Sequence, residues 1–133
     1  MNLMLDTHTL IWFMEGNFLL PSKVREMIIA KGNKRFVSVV SFYEMAIKIS
    51  LGKLTLTKPI GEFFSDTITN FIEILPIQQI HLNKLIELPK FDTHKDPFDR
   101  LIIATAIAEN ATLLSADGNF RLYENYVNLA WKE

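Results

Sequence analysis

The sequence predicts an α/β protein, three layers deep, with a mostly parallel sheet flanked by helices. Short apolar runs rich in β-branched residues recur along the chain, too short to be helices. Between them lie longer stretches whose apolar residues recur at spacings of three and four, the helical period. Strands that alternate with helices in this way call for a parallel sheet covered on both faces. The third observation is size: 133 residues, 49% hydrophobic, fit a single domain, residues 1–133, that buries a real core. No internal repeat, low-complexity tract or linker divides it.

Leu3-Met4-Leu5 is the first strand, ending at Asp6-Thr7-His8. Thr9 to Phe13 are too apolar for a loop and form a short helix with Thr7 as its candidate cap. Gly16-Asn17 closes that helix. Pro21 opens the next, with Val24, Met27 and Ile28 on one face and Gly32-Asn33 as the stop. Phe36 to Val40 is the second strand. A helix then runs from Ser41 to about Leu51-Gly52, with Met45, Ala46 and Ile49 as core candidates. Lys53 to Lys58 is a loop, and Pro59 starts a helix with Ile60, Phe63, Phe64 and Ile68 on one face. Phe71 to Ile77 is the third strand, and Pro76 places it near a sheet edge.

Leu82, Leu85 and Ile86 mark a further helix that stops before Pro89. Lys90 to Lys95 leads into an apolar helix with an unusually clear start. Asp96 is its N-cap and Pro97 its first residue, where a missing N–H costs nothing. From Leu101 to Ala108 the helix is apolar nearly all round, so it is buried on more than one side. Asn110 ends it, Thr112-Leu113-Leu114 is the fourth strand, Ser115 to Gly118 a turn, and Val127 to Leu129 a weak last strand.

Composition narrows the chemistry. There are no cysteines, which excludes disulfides and thiolate metal sites. No apolar run approaches the roughly 18 residues of a membrane span, and the N-terminus lacks a basic leader, so a soluble cytoplasmic protein is expected. With a net charge of −1, any attraction for nucleic acid has to come from a local basic patch.

Four acids stand at strand ends and helix starts. Asp6 follows strand one, Glu44 lies in the first turn after strand two, Asp99 in the first turn of the helix before strand four, and Asp117 just after strand four. The carboxyl edge of a parallel sheet is where such folds build their sites. Asp6, Glu44 and Asp117 share that edge, and Asp99 joins them only if its helix enters from the same side. Each acid also has an ordinary explanation. Asp6 caps a helix, Ser41-x-x-Glu44 matches a capping box, Asp117-Gly118 is a turn dipeptide, and Asp99 favours the positive end of a helix dipole. Gathered in one pocket, however, four carboxylates repel unless something positive accompanies them. Hard oxygen donors without a histidine or cysteine cluster select Mg²⁺ or Mn²⁺, ions suited to phosphodiester hydrolysis.

Leu5-Asp6-Thr7-His8, then Ser41-Phe42-Tyr43-Glu44, then Asp96-Pro97-Phe98-Asp99-Arg100-Leu101-Ile102-Ile103-Ala104-Thr105-Ala106, then Leu114-Ser115-Ala116-Asp117 resemble, in that order, the motifs of PIN domains. The likeness is strongest to VapC-type toxin ribonucleases of bacterial toxin–antitoxin pairs. The resemblance implies a five-stranded sheet of order 3-2-1-4-5, in which strands one and four are neighbours and Asp99 reaches the pocket. It also implies that Asp6, Glu44, Asp99 and Asp117 bind Mg²⁺ or Mn²⁺ and cleave single-stranded RNA. A cognate antitoxin and a homodimer are further implications.

Around these acids, Asp6 and Asp99 are the leading ligands, with Asp117 and Glu44 completing the shell or orienting water. Asp96 is mainly the cap. Ser115 either bonds a carboxylate or phosphate or is a plain turn residue. Thr7 offers its hydroxyl near Asp6, and Arg100 meets an acid, a phosphate or solvent. Lys48 sits four residues after Glu44 as a helical pair and, with Lys53, is a candidate for RNA contact. His8 is expected to be structural, His81 to lie on a surface helix, and His94 in the linker to have no chemistry. Trp12, Phe13 and Phe42 are core candidates, with the lining of a partner groove as the alternative for some of them. Two alternatives remain: a receiver-like signalling domain with an acidic Mg²⁺ pocket, for which the chain lacks paired acids after strand one, and a non-catalytic module in which all four acids are caps.

Overall fold

Leu3, Met4 and Leu5 are all fully buried, so the first strand is covered on both faces and lies inside the sheet. The computed structural model describes residues 1–131. Strand β1 (Asn2–Leu5) pairs in parallel with β2 (Lys34–Ser38) on one side and with β4 (Thr112–Leu114) on the other; β3 (Glu73–Leu75) lies beyond β2. The order is β3-β2-β1-β4, and Leu5 is in register with both Val37 and Leu114.

Helices α1 (Thr7–Glu15) and α2 (Ser22–Ile29) connect β1 to β2, α3 (Val39–Ser50) and α4 (Ile60–Thr69) connect β2 to β3, and α5 (Gln79–Glu87) and α6 (Pro97–Ala108) lead to β4. A 3-10 helix, Gly118–Tyr123, follows β4. The strands sort their side chains by alternation. Leu3, Leu5, Val37 and Leu114 pack into one core with residues of α1, α2, α3 and α4. Met4, Phe36 and Leu113 face the opposite way, into a second core with Leu101, Ile102 and Ile103 of α6 and with Phe120 and Tyr123.

Several expectations shift. Among the described residues the sheet has four strands, not five: Leu129 forms a single parallel bridge to Leu113, because β4 is only three residues long and offers one residue to the tail. The second strand ends at Ser38, two residues earlier than its β-branched run suggests. The Ser38 hydroxyl accepts from the Val40 N–H at 3.1 Å and caps α3, and this local bond outweighs the strand preference of Val39-Val40. Ser41 is therefore inside the helix, and Ser41-x-x-Glu44 is not a capping box. Asp6, not Thr7, caps α1, accepting from the Thr9 N–H at 2.8 Å. Ala46 and Ile49 face solvent. The third strand is confined to Glu73–Leu75 and lies at the sheet edge, as Pro76 requires. Asn110 ends α6 in the left-handed region at φ 56°, a conformation asparagine tolerates.

Among the described residues no helix is long and apolar enough to cross a membrane.

Candidate active site

The chain leaves β1 toward β2 and β3 and returns to the other side of β1 as β4. The crevice between the carboxyl ends of β1 and β4 is thus the point where strand order reverses, where open parallel sheets place their sites. Because β4 runs parallel to β1, the helix before it starts at this same edge, and α6 brings Asp99 there. A cavity of about 360 Å³ opens at this point, lined by Asp6, Thr7, His8, Trp12, Glu44, Lys48, Asp96, Asp99, Ala116 and Asp117. All four acids singled out from the sequence line it, together with the helix cap Asp96.

Each acid is held differently. Asp6 is buried, and backbone and side-chain bonds stitch the end of β1 to β4: Asp6 N–H and Thr9 Oγ1 both donate to the Leu114 carbonyl, at 3.2 and 2.8 Å. Its Oδ1 accepts from Thr9, and its Oδ2 accepts from the Ser115 hydroxyl. Ser115 therefore bonds a carboxylate, the first of its two candidate roles, and it also accepts from the Asp117 N–H at 3.0 Å. Burial pushes the Asp6 carboxyl above its ordinary range, against the opposing pull of its hydrogen bonds to Ser115 and Thr9 and of the nearby His8.

Glu44 lies in the second turn of α3 with both oxygens engaged. Lys48 Nζ donates to Oε2 at 2.6 Å, and the Thr7 hydroxyl to Oε1 at 2.7 Å. Thr7 Oγ1 also lies 2.9 Å from Ser41 Oγ. A carboxylate accepts only, so the Thr7 proton goes to Glu44 and Ser41 supplies the proton between the two hydroxyls. Glu44 is thus the one acid of the four already paired with a lysine.

Asp99 is pushed up to about 6, first by burial and then by the charges of Asp96 and Asp117, with a hydrogen bond from His94 opposing. Asp96 caps α6 by accepting from the Asp99 N–H at 3.0 Å, and it too faces the cavity. Asp117 caps the 3-10 helix through the Asn119 N–H at 2.9 Å, so its turn role and its place on the cavity coexist.

Other expectations are corrected. The Arg100 guanidinium donates to the Pro89 carbonyl at 2.9 Å and the Tyr123 hydroxyl at 3.1 Å, tying the linker to the 3-10 helix. Lys53 is exposed and does not line the cavity, while Lys48 does. His8 is exposed and lines the cavity, its ring edge-on to Trp12 at 6.1 Å. His81 is buried: it accepts from the Gln78 N–H through Nδ1 and meets Glu109 at 2.8 Å through Nε2. His94 is also buried and lies 3.0 Å from Asp99 Oδ2. Nothing in the local pattern marks it, since the linker's fold alone brings it back onto Asp99.

The donor set suits a hard divalent cation, because it consists of carboxylate and hydroxyl oxygens, and burial pushes two of its acids, Asp6 and Asp99, above the ordinary carboxylate range. Among the described residues no three acid or histidine side chains are gathered as a ready metal cluster.

Fold and site together define an α/β protein with an acidic crevice at the switch point of its sheet. The PIN domain family model matches residues 3–125, and the chain belongs to that family. Membership leaves the receiver-like alternative without support. Among solved structures the chain is similar to one from VapBC2 of Rickettsia felis bound to a DNA fragment from their promoter, at TM-score 0.67 and 22% identity over 99% of this chain and 100% of that one. It is also similar to one from VapBC-1 of nontypeable Haemophilus influenzae, at TM-score 0.65 and 16% identity over 98% of this chain and 97% of that one. A third, from DNA-bound VapBC of Salmonella typhimurium, has TM-score 0.62 and 17% identity over 98% of this chain and 97% of that one. Comparison with curated protein sequences finds no match.

Proposed function

We propose that this chain is a divalent-metal-dependent endoribonuclease, and that it is the toxin of a toxin–antitoxin pair. The observation that carries the reading is the convergence of Asp6, Glu44, Asp99 and Asp117 on one cavity at the switch point of a PIN-family sheet.

Asp6 and Asp99 are the residues that would hold Mg²⁺ or Mn²⁺, with Asp117 and Glu44 completing the shell or orienting water. An ion held by these residues would supply stabilisation of the charge that develops on a phosphodiester and activation of water. The chain's own residues do the remaining work. Ser115 and Thr9 fix the Asp6 carboxylate through both oxygens. Thr7 and Lys48 hold Glu44, so its orientation is set before any ligand arrives. Lys48, on the cavity wall and paired with Glu44, and Lys53 beyond it are the candidates for contact with a backbone phosphate. Trp12, half-buried beside the acids, offers a flat face for a base in a single-stranded substrate.

The solved relatives are VapBC complexes, and a further similar structure is a toxin–antitoxin complex from Klebsiella pneumoniae. These support a partner protein for this chain. Self-association as a homodimer belongs to the same reading.

Purified protein with Mg²⁺ or Mn²⁺ should cleave single-stranded RNA, and chelation should stop it. Asp6→Asn and Asp99→Asn should each lower the rate on the order of 10²–10³-fold, about 3–4 kcal/mol of barrier. Full activity in both variants would overturn the site. Expression in a host should arrest growth, and co-expression of a small protein encoded beside the gene should relieve it.

A further inference from the structure

We infer that His94 is a positioning residue, which holds Asp99 at the end of a one-way hydrogen-bond chain running from Arg100 through Tyr123 and His94. This rests on the reading of Asp99 as a metal ligand and adds what sets its orientation.

The chain's direction follows from donor counting. The Arg100 guanidinium has donors and no acceptor, so at 3.1 Å from the Tyr123 oxygen it can only donate. Tyr123 is fully buried, and the second contact of its hydroxyl is His94 Nδ1 at 2.8 Å. With a lone pair taken by Arg100, the hydroxyl proton is satisfied only by pointing at Nδ1. A proton on Nδ1 would leave the Tyr123 O–H buried with nothing to donate to. The neutral ring therefore carries its proton on Nε2, aimed at Asp99 Oδ2 3.0 Å away.

Packing holds the ring in this orientation. The Phe91–His94 turn closes with the His94 N–H on the Phe91 carbonyl at 3.2 Å. The ring stands edge-on to Tyr123 at 5.4 Å and to Phe120 at 6.2 Å between centroids. Arg100 also donates to the Pro89 carbonyl, so the same guanidinium that starts the chain anchors the segment carrying His94. Asp99 has its other restraint through its own N–H on Asp96. Groups that orient a metal-binding carboxylate in this way govern how well it binds, typically by roughly 10–100-fold in affinity.

The first measurement needs no metal: side-chain nitrogen and carbon shifts of His94 in the wild-type protein at pH 8 should report the Nε2–H tautomer. In Tyr123→Phe the tautomer should mix or switch. An Nδ1–H ring in the wild type overturns the chain. The second is Mn²⁺ affinity by calorimetry, on folded protein. His94→Leu should bind roughly 10–100-fold more weakly, and His94→Gln, which returns an N–H donor at similar reach, should recover most of the loss. Wild-type affinity in His94→Leu, with binding lost in Asp99→Asn, overturns the positioning role alone. Wild-type affinity in Asp99→Asn overturns the ligand reading beneath it. Should His94→Leu fail to fold, the wild-type tautomer and the Tyr123→Phe affinity, expected to be lowered severalfold, decide the matter.

Discussion

Asp99 is placed where its charge is costly. Its carboxyl is pushed up to about 6 by burial and by Asp96 and Asp117, so the folded protein binds a proton there more readily than the unfolded chain. The linkage sign is then fixed. A raised carboxyl adds stability below the unfolded value near 3.8, and that contribution is lost as pH rises through about 6. The Asp99 contribution should therefore be lost between about pH 4 and 6 in metal-free protein, and Asp6, also raised by burial, adds a loss of the same sign as pH rises. Asp99→Asn should flatten this slope and raise stability at pH 7 by about 1–2 kcal/mol after allowance for solvent screening. Urea unfolding across pH, in chelator, measures both, and a destabilised variant at pH 7 would contradict the assignment. The same residue shows how a local pattern misleads by being incomplete. As the third residue of a capped helix, Asp99 is well explained by the dipole; its burial and its contact with His94 come from parts of the chain its neighbours do not reveal.

At the scale of the element, α6 is the rigid support of the site. Leu101 to Ala106 are all buried, and Ile103 is fully so, packed in the core that lies under β1 and β4. The run's even hydrophobicity predicts this burial correctly. Ile103→Ala leaves a cavity in that core and should cost about 2–5 kcal/mol, read as a lower urea midpoint. Helix α3 shows the opposite case. Val39-Val40 prefer a strand in isolation, yet Ser38 caps a helix that begins with them, and the shift moves Glu44 from the first turn to the second. Side-chain capping and the end of pairing with β3 decided that boundary; propensity alone placed it wrongly.

For the whole molecule, the acidic crevice means that stability and ligand binding are linked. In the proposed reading, the carboxylates of Asp6 and Asp99, which burial pushes up, are a cost in the free protein that a bound divalent ion would offset. Mn²⁺ at about 100 times its Kd should stabilise the fold by about 2.7 kcal/mol, raising the urea midpoint without changing the slope. The double variant Asp6→Asn, Asp99→Asn should show no such rise, and a rise that persists in it would place the ion elsewhere.

What the sequence determined by itself was the succession of strands and helices, the edge position of the third strand, the burial of α6 and the recurrence of acids at strand ends. These rest on periodicity, on proline and on capping, forces that act within a few residues. Only the tertiary structure decided how the acids are held. Ser115 lies 109 positions from Asp6, Thr7 37 from Glu44, and Tyr123 29 from His94, and no local preference encodes such partners. It also decided that, among the described residues, the tail forms one bridge and no fifth strand, and that a hydrogen-bonded path links Arg100, Tyr123 and His94 to Asp99. The reason is physical: a side chain's charge and proton depend on which groups surround it in space, and that is settled only when the parallel return of β4 closes the crevice.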